Sequence, residues 1–165
     1  MAKESAGVLL FRGSGAALEV LLVHPGGPFW AKRDQGAWSV PKGECEKGEE
    51  MRACAFRELR EELGPAVAMA AGEPIELGSV RQKGGKVVHA WAAEGEFDPA
   101  ALDSNTFEME WPPRSGTRRE FPEVDRAEWL APAAAREKIL AAQAVFLDRL
   151  LDAVGTPAPD RDRSI

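Results

Sequence analysis

The sequence predicts an α/β domain in which short strands alternate with two helical segments. Short apolar runs separated by glycine-containing turns are typical of strands, whereas residues 50–63 and 132–154 carry apolar side chains at helical spacing. The chain has 165 residues, of which 44% are hydrophobic, enough for one domain with a full-sized core. It shows no internal repeat and no second core, so we expect a single domain over residues 1–154.

The first part of the chain predicts a strand hairpin followed by a long loop. Residues 6–12 and 18–24 are short apolar runs, and a Gly-Ser-Gly turn at 13–15 separates them. Residues 25–36 are rich in glycine and proline and show no periodicity. Loops of about a dozen residues in a compact domain are often functional, which makes this loop a candidate for substrate contact.

Further strands are predicted in the middle of the chain. Residues 75–82 and 86–93 read as two strands joined by a glycine pair, which is a hairpin turn signal, and residues 106–111 as another. Residues 112–119 are polar and basic. We expect them to follow an irregular path over the surface.

The C-terminal part predicts one more strand, a closing helix and a tail. Val124 and residues 129–130 are strand-like, and Pro132 suits the first turn of a helix that runs to Val154. One face of this helix comprises Ile139, Gln143, Phe146, Leu147, Leu150 and Val154. Residues 155–165 are proline-rich and charged, so we expect a disordered tail.

Composition and charge exclude several functions. With 27 acidic and 21 basic residues the formal net charge is −6, so the surface should repel a polyanion and we expect no nucleic-acid polymer as partner. No apolar run approaches the ~18 residues of a membrane span and no signal peptide is recognisable, which predicts a cytoplasmic protein without a membrane partner. Cys45 and Cys54 belong to no CxxC pair and are expected to be two reduced thiols.

The first helical segment carries a set of carboxylates on one face. At 100° per residue, Glu58, Glu61 and Glu62 fall together, opposite an apolar seam. The seam consists of Phe56, Leu59 and Leu63. Because like charges at this spacing destabilise a helix, a divalent cation would compensate them, and oxygen ligands favour Mg²⁺ or Mn²⁺ over zinc. The alternative is a solvated acidic face.

The residues around these carboxylates favour the metal site. Gly43 is followed after five residues by Glu49 and after seven more by Arg57, and Gly64 closes the pattern just behind the carboxylates. This arrangement resembles the signature of the Nudix hydrolases at each of its fixed charged and glycine positions. The one departure is Pro65, where the family usually has a bulky aliphatic residue.

The resemblance implies a fold, a cofactor and roles for named residues. The fold would be a Nudix-type α/β/α sandwich with a mixed central sheet, and the cofactor Mg²⁺ or Mn²⁺. Glu58, Glu61 and Glu62 match the carboxylates that hold the metal against a diphosphate, and the carbonyl of Lys42 often adds a contact in such enzymes. In the same way, Arg57 and Glu49 match the pair that braces the loop and orients the glutamates; an exposed ion pair of small value is the alternative. Family members often take the general base from outside the motif, and our candidate is Glu120.

The implied activity is hydrolysis of a phosphoanhydride bond in a nucleoside diphosphate linked to another moiety. The Pro-Lys-Gly ending at Gly43 favours dinucleoside polyphosphates or nucleoside triphosphates, with Lys42 as a point charge for phosphate. The partner would be a small nucleotide. Two other hypotheses remain open: a Nudix-fold nucleotide-binding regulatory protein without turnover, and an acidic interaction domain with no ligand.

Aromatic and basic residues outside the motif are candidates for substrate binding. Phe29 and Trp30 in the long loop present faces on which a nucleobase stacks, or they plug the loop onto the core. Three arginines in the basic stretch are candidates for bidentate contacts to phosphate, or they are simply solvated. These are Arg114, Arg118 and Arg119.

Overall fold

A computed structural model describes residues 4–155, which form nine strands and three α-helices. The strands are β1 (Glu4–Arg12), β2 (Glu19–Pro25), β3 (Lys42–Glu44), β4 (Ala68–Met69), β5 (Ile75–Arg81), β6 (Val87–Glu96), β7 (Thr106–Glu110), β8 (Arg118–Pro122) and β9 (Val124–Leu130). The helices are α1 (Met51–Leu63), α2 (Pro132–Lys138) and α3 (Ala144–Val154). Apart from Gly155, the predicted tail lies outside the described residues.

Seven of these strands form one mixed sheet with β1 at its centre. β1 runs parallel to β6 and antiparallel to β2 and β3, while β9 extends the sheet beyond β2. β4 and β5 both pair with β6 in antiparallel fashion. β7 and β8 form a separate two-stranded antiparallel sheet. The predicted mixed central sheet is therefore confirmed.

Helices cover both faces of the sheet, and the alternation of side chains along β1 shows how. Ala6, Val8 and Leu10 belong to a cluster that packs against α1. Leu9 and Phe11 point to the opposite face and join a second cluster, to which α2 and α3 contribute. All five are buried. The structure is the predicted α/β/α sandwich.

Most predicted elements are confirmed to within a few residues, but three strands, β3, β4 and β8, were not predicted. β3 and β4 have three and two residues, too short to show an alternating pattern. The prediction that residues 112–119 are all irregular is wrong at its end, because Arg118 and Arg119 begin β8 and pair with Glu110 and Met109.

The single helix predicted from Pro132 to Val154 is wrong, because the chain leaves the helical conformation at Ile139. There it forms a bridge with Trp38: the Leu140 N–H donates to the Trp38 carbonyl at 2.8 Å, and the Trp38 N–H to the Lys138 carbonyl at 2.9 Å. Gln143 is buried and its Oε1 accepts the Val40 N–H at 3.0 Å. These contacts satisfy backbone groups that a continuous helix would have paired internally.

The expectation of two reduced thiols is also wrong, because Cys45 and Cys54 form a disulfide. Cys45 follows β3 and Cys54 lies in α1, and the packing of α1 beside β3 brings their Cα atoms to 5.5 Å, within the range that a disulfide spans. The bond closes a short loop that contains Glu49.

Among residues 4–155, none of the helices combines the length and the apolar character that crossing a bilayer requires.

Candidate active site

The α1 helix and β3 together position the acidic side chains. Glu58 is only 8% exposed although it is charged, and its carboxylate packs directly over Gly43 of β3. A Cβ atom at position 43 would overlap that carboxylate, with Glu58 Oε2 at 2.7 Å and Oε1 closer still. Gly43 is thus required for close approach between strand and helix.

Arg57 holds the predicted brace together. Its Nε and Nη2 donate to the two carboxylate oxygens of Glu49 at 2.8 and 2.9 Å, a bidentate pair. Its Nη1 donates to Glu58 and to Glu61, each at 2.9 Å. A single guanidinium therefore fixes three carboxylates and links the loop before α1 to the acidic face.

The acidic face opens into a cavity of about 430 Å³. Glu58, Glu61 and Glu62 line it together with Lys42 and with Glu123, which comes from the junction of β8 and β9. The Lys42 N–H donates to Glu62 Oε1 at 3.1 Å, which ties the third glutamate to the end of β3. The structure thus brings the three predicted carboxylates and Lys42 to one place.

Glu120, the predicted general base, does not reach this cavity. It lies on β8, and its carboxylate accepts a hydrogen bond from Thr106 Oγ1 at 2.8 Å within the small sheet. Glu123 lines the cavity instead: its N–H donates to the Asn105 carbonyl, and the Asn105 N–H donates to the Glu61 carbonyl of α1. The signal missing from the sequence was the strand register, which decides which glutamate faces α1.

Burial and mutual repulsion perturb the carboxylates of the site. Removal from water is the main cause that raises the pKa of Glu58, Glu62 and Glu123 above the ordinary value, and neighbouring glutamates raise each of them further. In contrast, the hydrogen bonds from Arg57 lower the pKa of Glu49 to about 2. Glu49 therefore stays ionised near neutral pH and keeps its ion pair with Arg57.

The donor set fits a hard divalent cation. The cavity offers several carboxylate oxygens with no thiolate or imidazole beside them among the described residues, and such ligands suit Mg²⁺ or Mn²⁺. Repulsion from neighbouring glutamates contributes to the raised pKa values of Glu58, Glu62 and Glu123, and a bound cation would relieve that repulsion. Close packing against Gly43 holds the Glu58 carboxylate at the wall of this cavity, where it could bind the cation.

The candidate stacking residues have different surroundings. Phe29 is 63% exposed and makes an edge contact with Trp111, with ring centroids 5.6 Å apart. Trp30 instead packs against the core cluster on the α3 face, so the structure favours a packing role for it. The loop that bears both begins at Gly26, whose N–H donates to the Glu123 carbonyl at 3.0 Å.

The three candidate arginines do not line the acidic cavity. Arg114 lies in the exposed turn between β7 and β8, Arg118 pairs with Glu108 at 3.3 Å, and Arg119 lies over the Phe121 ring. Their placement on an exposed two-stranded sheet agrees with the solvated alternative.

A second cavity, of about 450 Å³, lies at the sheet edge beside β4 and β5. Its lining includes the apolar side chains of Phe11, Phe56 and Ile75, with Arg52 and Glu73 among its charged residues. None of the three α1 carboxylates faces it, so the chemistry belongs to the acidic cavity.

Comparison with known proteins defines the class. The family model of the NUDIX domain matches residues 1–150, so the chain belongs to the NUDIX domain family. Its structural neighbours include Nudix hydrolases, and the protein is a pyrophosphohydrolase. A search of curated proteins found no significant match.

Three solved structures illustrate the likeness of fold. An Ap4A hydrolase of C. elegans, in a binary complex, has a TM-score of 0.60 and 18% identity over 90% of this chain and 96% of its own. The MutT protein of Methanosarcina mazei Go1 has a TM-score of 0.57 and 19% identity, over 99% of this chain and 96% of its own. The NUDIX domain of Shewanella oneidensis NrtR, complexed with ADP ribose, has a TM-score of 0.56 and 17% identity, over 93% of this chain and 88% of its own.

Proposed function

We propose that the protein hydrolyses a phosphoanhydride bond in a nucleoside diphosphate linked to another moiety, with Mg²⁺ or Mn²⁺ as cofactor. The observation that carries the proposal is the gathering of Glu58, Glu61, Glu62 and Glu123 in one cavity beside Lys42. A diphosphate has no affinity for such a cavity unless cations intervene, and these carboxylates are suited to hold them.

Each part of the site has a role in this reaction. Glu58, Glu61 and Glu62 hold the cation, with the Lys42 carbonyl as a further ligand. A divalent cation bound there would neutralise the charge of the diphosphate during displacement. Arg57, which Glu49 holds in place, orients Glu58 and Glu61 through hydrogen bonds without itself binding the cation.

We assign the role of general base to Glu123. It lines the cavity but comes from a different element than the other glutamates, so it approaches a bound phosphate from another direction. Its pKa is raised by the surrounding protein and by Glu61, toward the range in which a base works best near neutral pH. It would accept the proton of the water that attacks phosphorus.

The exposed ring of Phe29, with the half-buried Trp111 at its edge, is the proposed contact for the nucleobase. Phe29 leaves an aromatic face open to solvent, and a nucleobase stacks on such a face. Of the two substrate classes favoured by the Pro-Lys-Gly sequence, the dinucleoside polyphosphates also agree with the Ap4A hydrolase among the structural neighbours.

The test is a panel of nucleotides incubated with Mg²⁺ or Mn²⁺ and scored for released phosphate or monophosphate. The panel contains dinucleoside polyphosphates, nucleoside triphosphates and ADP-ribose. We expect turnover of a polyphosphate, abolished by EDTA. Glu62→Gln and Glu123→Gln should each lower kcat by at least about a hundredfold, whereas the matched control Glu120→Gln should keep wild-type activity.

Two results would contradict the proposal. Wild-type activity of Glu62→Gln would remove the metal role of that residue. Ligand binding without turnover of any panel member would favour the regulatory hypothesis, for which the NUDIX domain of NrtR in complex with ADP ribose is a structural parallel.

A further inference from the structure

A short segment, residues 103–105, packs against the C-terminal end of α1. The Asp103 N–H donates to the Leu63 carbonyl at 3.1 Å, and the Asn105 N–H donates to the Glu61 carbonyl at 2.9 Å. The last carbonyls of a helix have no partner within that helix, so the segment pairs groups that α1 leaves open. The backbone of residues 103–105 is therefore held at the end of the helix that carries three glutamates of the acidic cavity.

Gly64 allows this close approach. A Cβ at position 64 would lie 2.8 Å from the Asp103 carbonyl oxygen and 2.9 Å from Asp103 Cβ, and Gly64 has a φ of +91°. Any other residue would push the segment away and also strain the backbone. The glycine that ends α1 thus fixes how closely residues 103–105 lie against the helix.

The other side of the segment binds the backbone where β9 begins. The Glu123 N–H donates to the Asn105 carbonyl at 2.8 Å. Ser104 Oγ accepts the Val124 N–H at 3.2 Å. The same hydroxyl lies 2.8 Å from the Asn105 carbonyl oxygen and 3.1 Å from that of Val124, and it donates its proton to one of them. Ser104 therefore bridges the segment to the residue directly after Glu123.

The main sheet holds this part of β9 incompletely. The register between β2 and β9 shifts just before Pro25, which pairs with Val124. Because proline has no N–H, Pro25 cannot donate to the Val124 carbonyl. The neighbouring Gly26 N–H donates to the Glu123 carbonyl at 3.0 Å. The Ser104 hydroxyl thus supplies at Val124 the hydrogen bonding that β2 does not provide.

We propose that Ser104 is a positioning residue for the reaction, because its hydroxyl sets the place from which the Glu123 carboxylate enters the acidic cavity. This inference rests on the proposed function, in which Glu123 is the general base. Ser104 lies outside the described lining of the cavity, so it acts through Glu123 and not on the substrate. A general base must lie within hydrogen-bond reach of the attacking water, and a displacement of about 1 Å costs up to about a hundredfold in rate.

Steady-state kinetics of variants at position 104 test this role. The substrate is the panel nucleotide that wild-type protein hydrolyses fastest with Mg²⁺. Ser104→Ala and Ser104→Val should each lower kcat by about tenfold, with KM changed by less than about twofold. Ser104→Thr, which has the shape of the valine variant but keeps the hydroxyl, should stay within about twofold of the wild-type kcat. Ser115→Ala removes a hydroxyl that accepts the Thr117 N–H in the β7–β8 turn; it is the matched control and should keep wild-type kcat.

A double-variant comparison separates positioning from a general loss of stability. If Ser104 acts through Glu123, then Ser104→Ala should lower kcat by less than about twofold in the Glu123→Gln background, since no base remains to be positioned. An equal loss in both backgrounds would overturn the proposal. So would a wild-type kcat in the alanine and valine variants, or a threonine variant as slow as valine.

Amide hydrogen exchange, followed by NMR, needs no substrate. In Ser104→Ala and Ser104→Val, the Glu123 and Val124 amides should exchange at least about tenfold faster than in wild type, while those of β1 stay unchanged. Wild-type exchange at Glu123 and Val124 would overturn the proposal. If wild-type protein turns over no nucleotide, the proposed function fails, yet the exchange comparison still decides whether Ser104 holds the backbone of Glu123.

Discussion

Gly43→Ala is predicted to disable the metal site while leaving the fold intact. The new Cβ would lie 2.7 Å from Glu58 Oε2 and closer to Oε1, where ordinary contacts begin at 3.4 Å. Clearing Oε2 alone requires a movement of about 0.7 Å and the closer Oε1 requires more, whereas ligand distances around a bound cation tolerate only about 0.2 Å. The Glu58 side chain is flexible and Gly43 has no positive φ, so the displacement falls on the carboxylate and not on the backbone.

Manganese titration of wild-type and Gly43→Ala protein, followed by electron paramagnetic resonance, measures the effect. We expect the affinity of the variant to fall by about 10- to 100-fold, the range found when the support of a metal ligand is lost. Its free energy of unfolding should change by no more than about 1 kcal/mol. Gly72→Ala, at a position with open space around it, is the control. Wild-type manganese affinity in Gly43→Ala would refute the claim that this carboxylate is a ligand held by close packing.

Two further predictions concern stability. Reducing the Cys45–Cys54 disulfide releases the loop that it closes in the unfolded chain, so it should lower the free energy of unfolding by about 2–3 kcal/mol. Urea titration with and without dithiothreitol measures this change. The Cys45→Ser/Cys54→Ser double variant should have the same stability with and without dithiothreitol. Because burial raises the pKa of Glu58 and Glu62, the folded metal-free protein binds more protons there than the unfolded chain. Its stability in EDTA should therefore fall as pH rises from 4.5, the ordinary value, toward neutrality, and a Glu62→Gln variant that keeps the full wild-type slope would contradict this.

The local features of the site were predictable from the sequence because they depend on nearby residues. The helical spacing of Glu58, Glu61 and Glu62 sets their common face whatever the rest of the fold does. Arg57 and Glu49 likewise belong to one short segment, and the structure joins them with two hydrogen bonds. The resemblance to a known motif added the roles of these residues.

Features that depend on contacts between distant segments were missed. Glu123 reaches the cavity through backbone bonds that involve Asn105 and α1, and nothing near position 123 in the sequence indicates them. The break at Ile139 arises from its pairing with Trp38, about a hundred residues earlier. The disulfide of Cys45 and Cys54 depends on how α1 packs against β3. In each case tertiary packing overrides the local pattern.

Anomalous diffraction from crystals soaked in manganese tests the central claim most directly. The account predicts a manganese peak in the cavity beneath α1, coordinated by carboxylate oxygens of Glu58, Glu61 and Glu62, and its loss in crystals of Glu62→Gln. Carboxylates that stay directed into solvent, with manganese bound elsewhere or not at all, would contradict it.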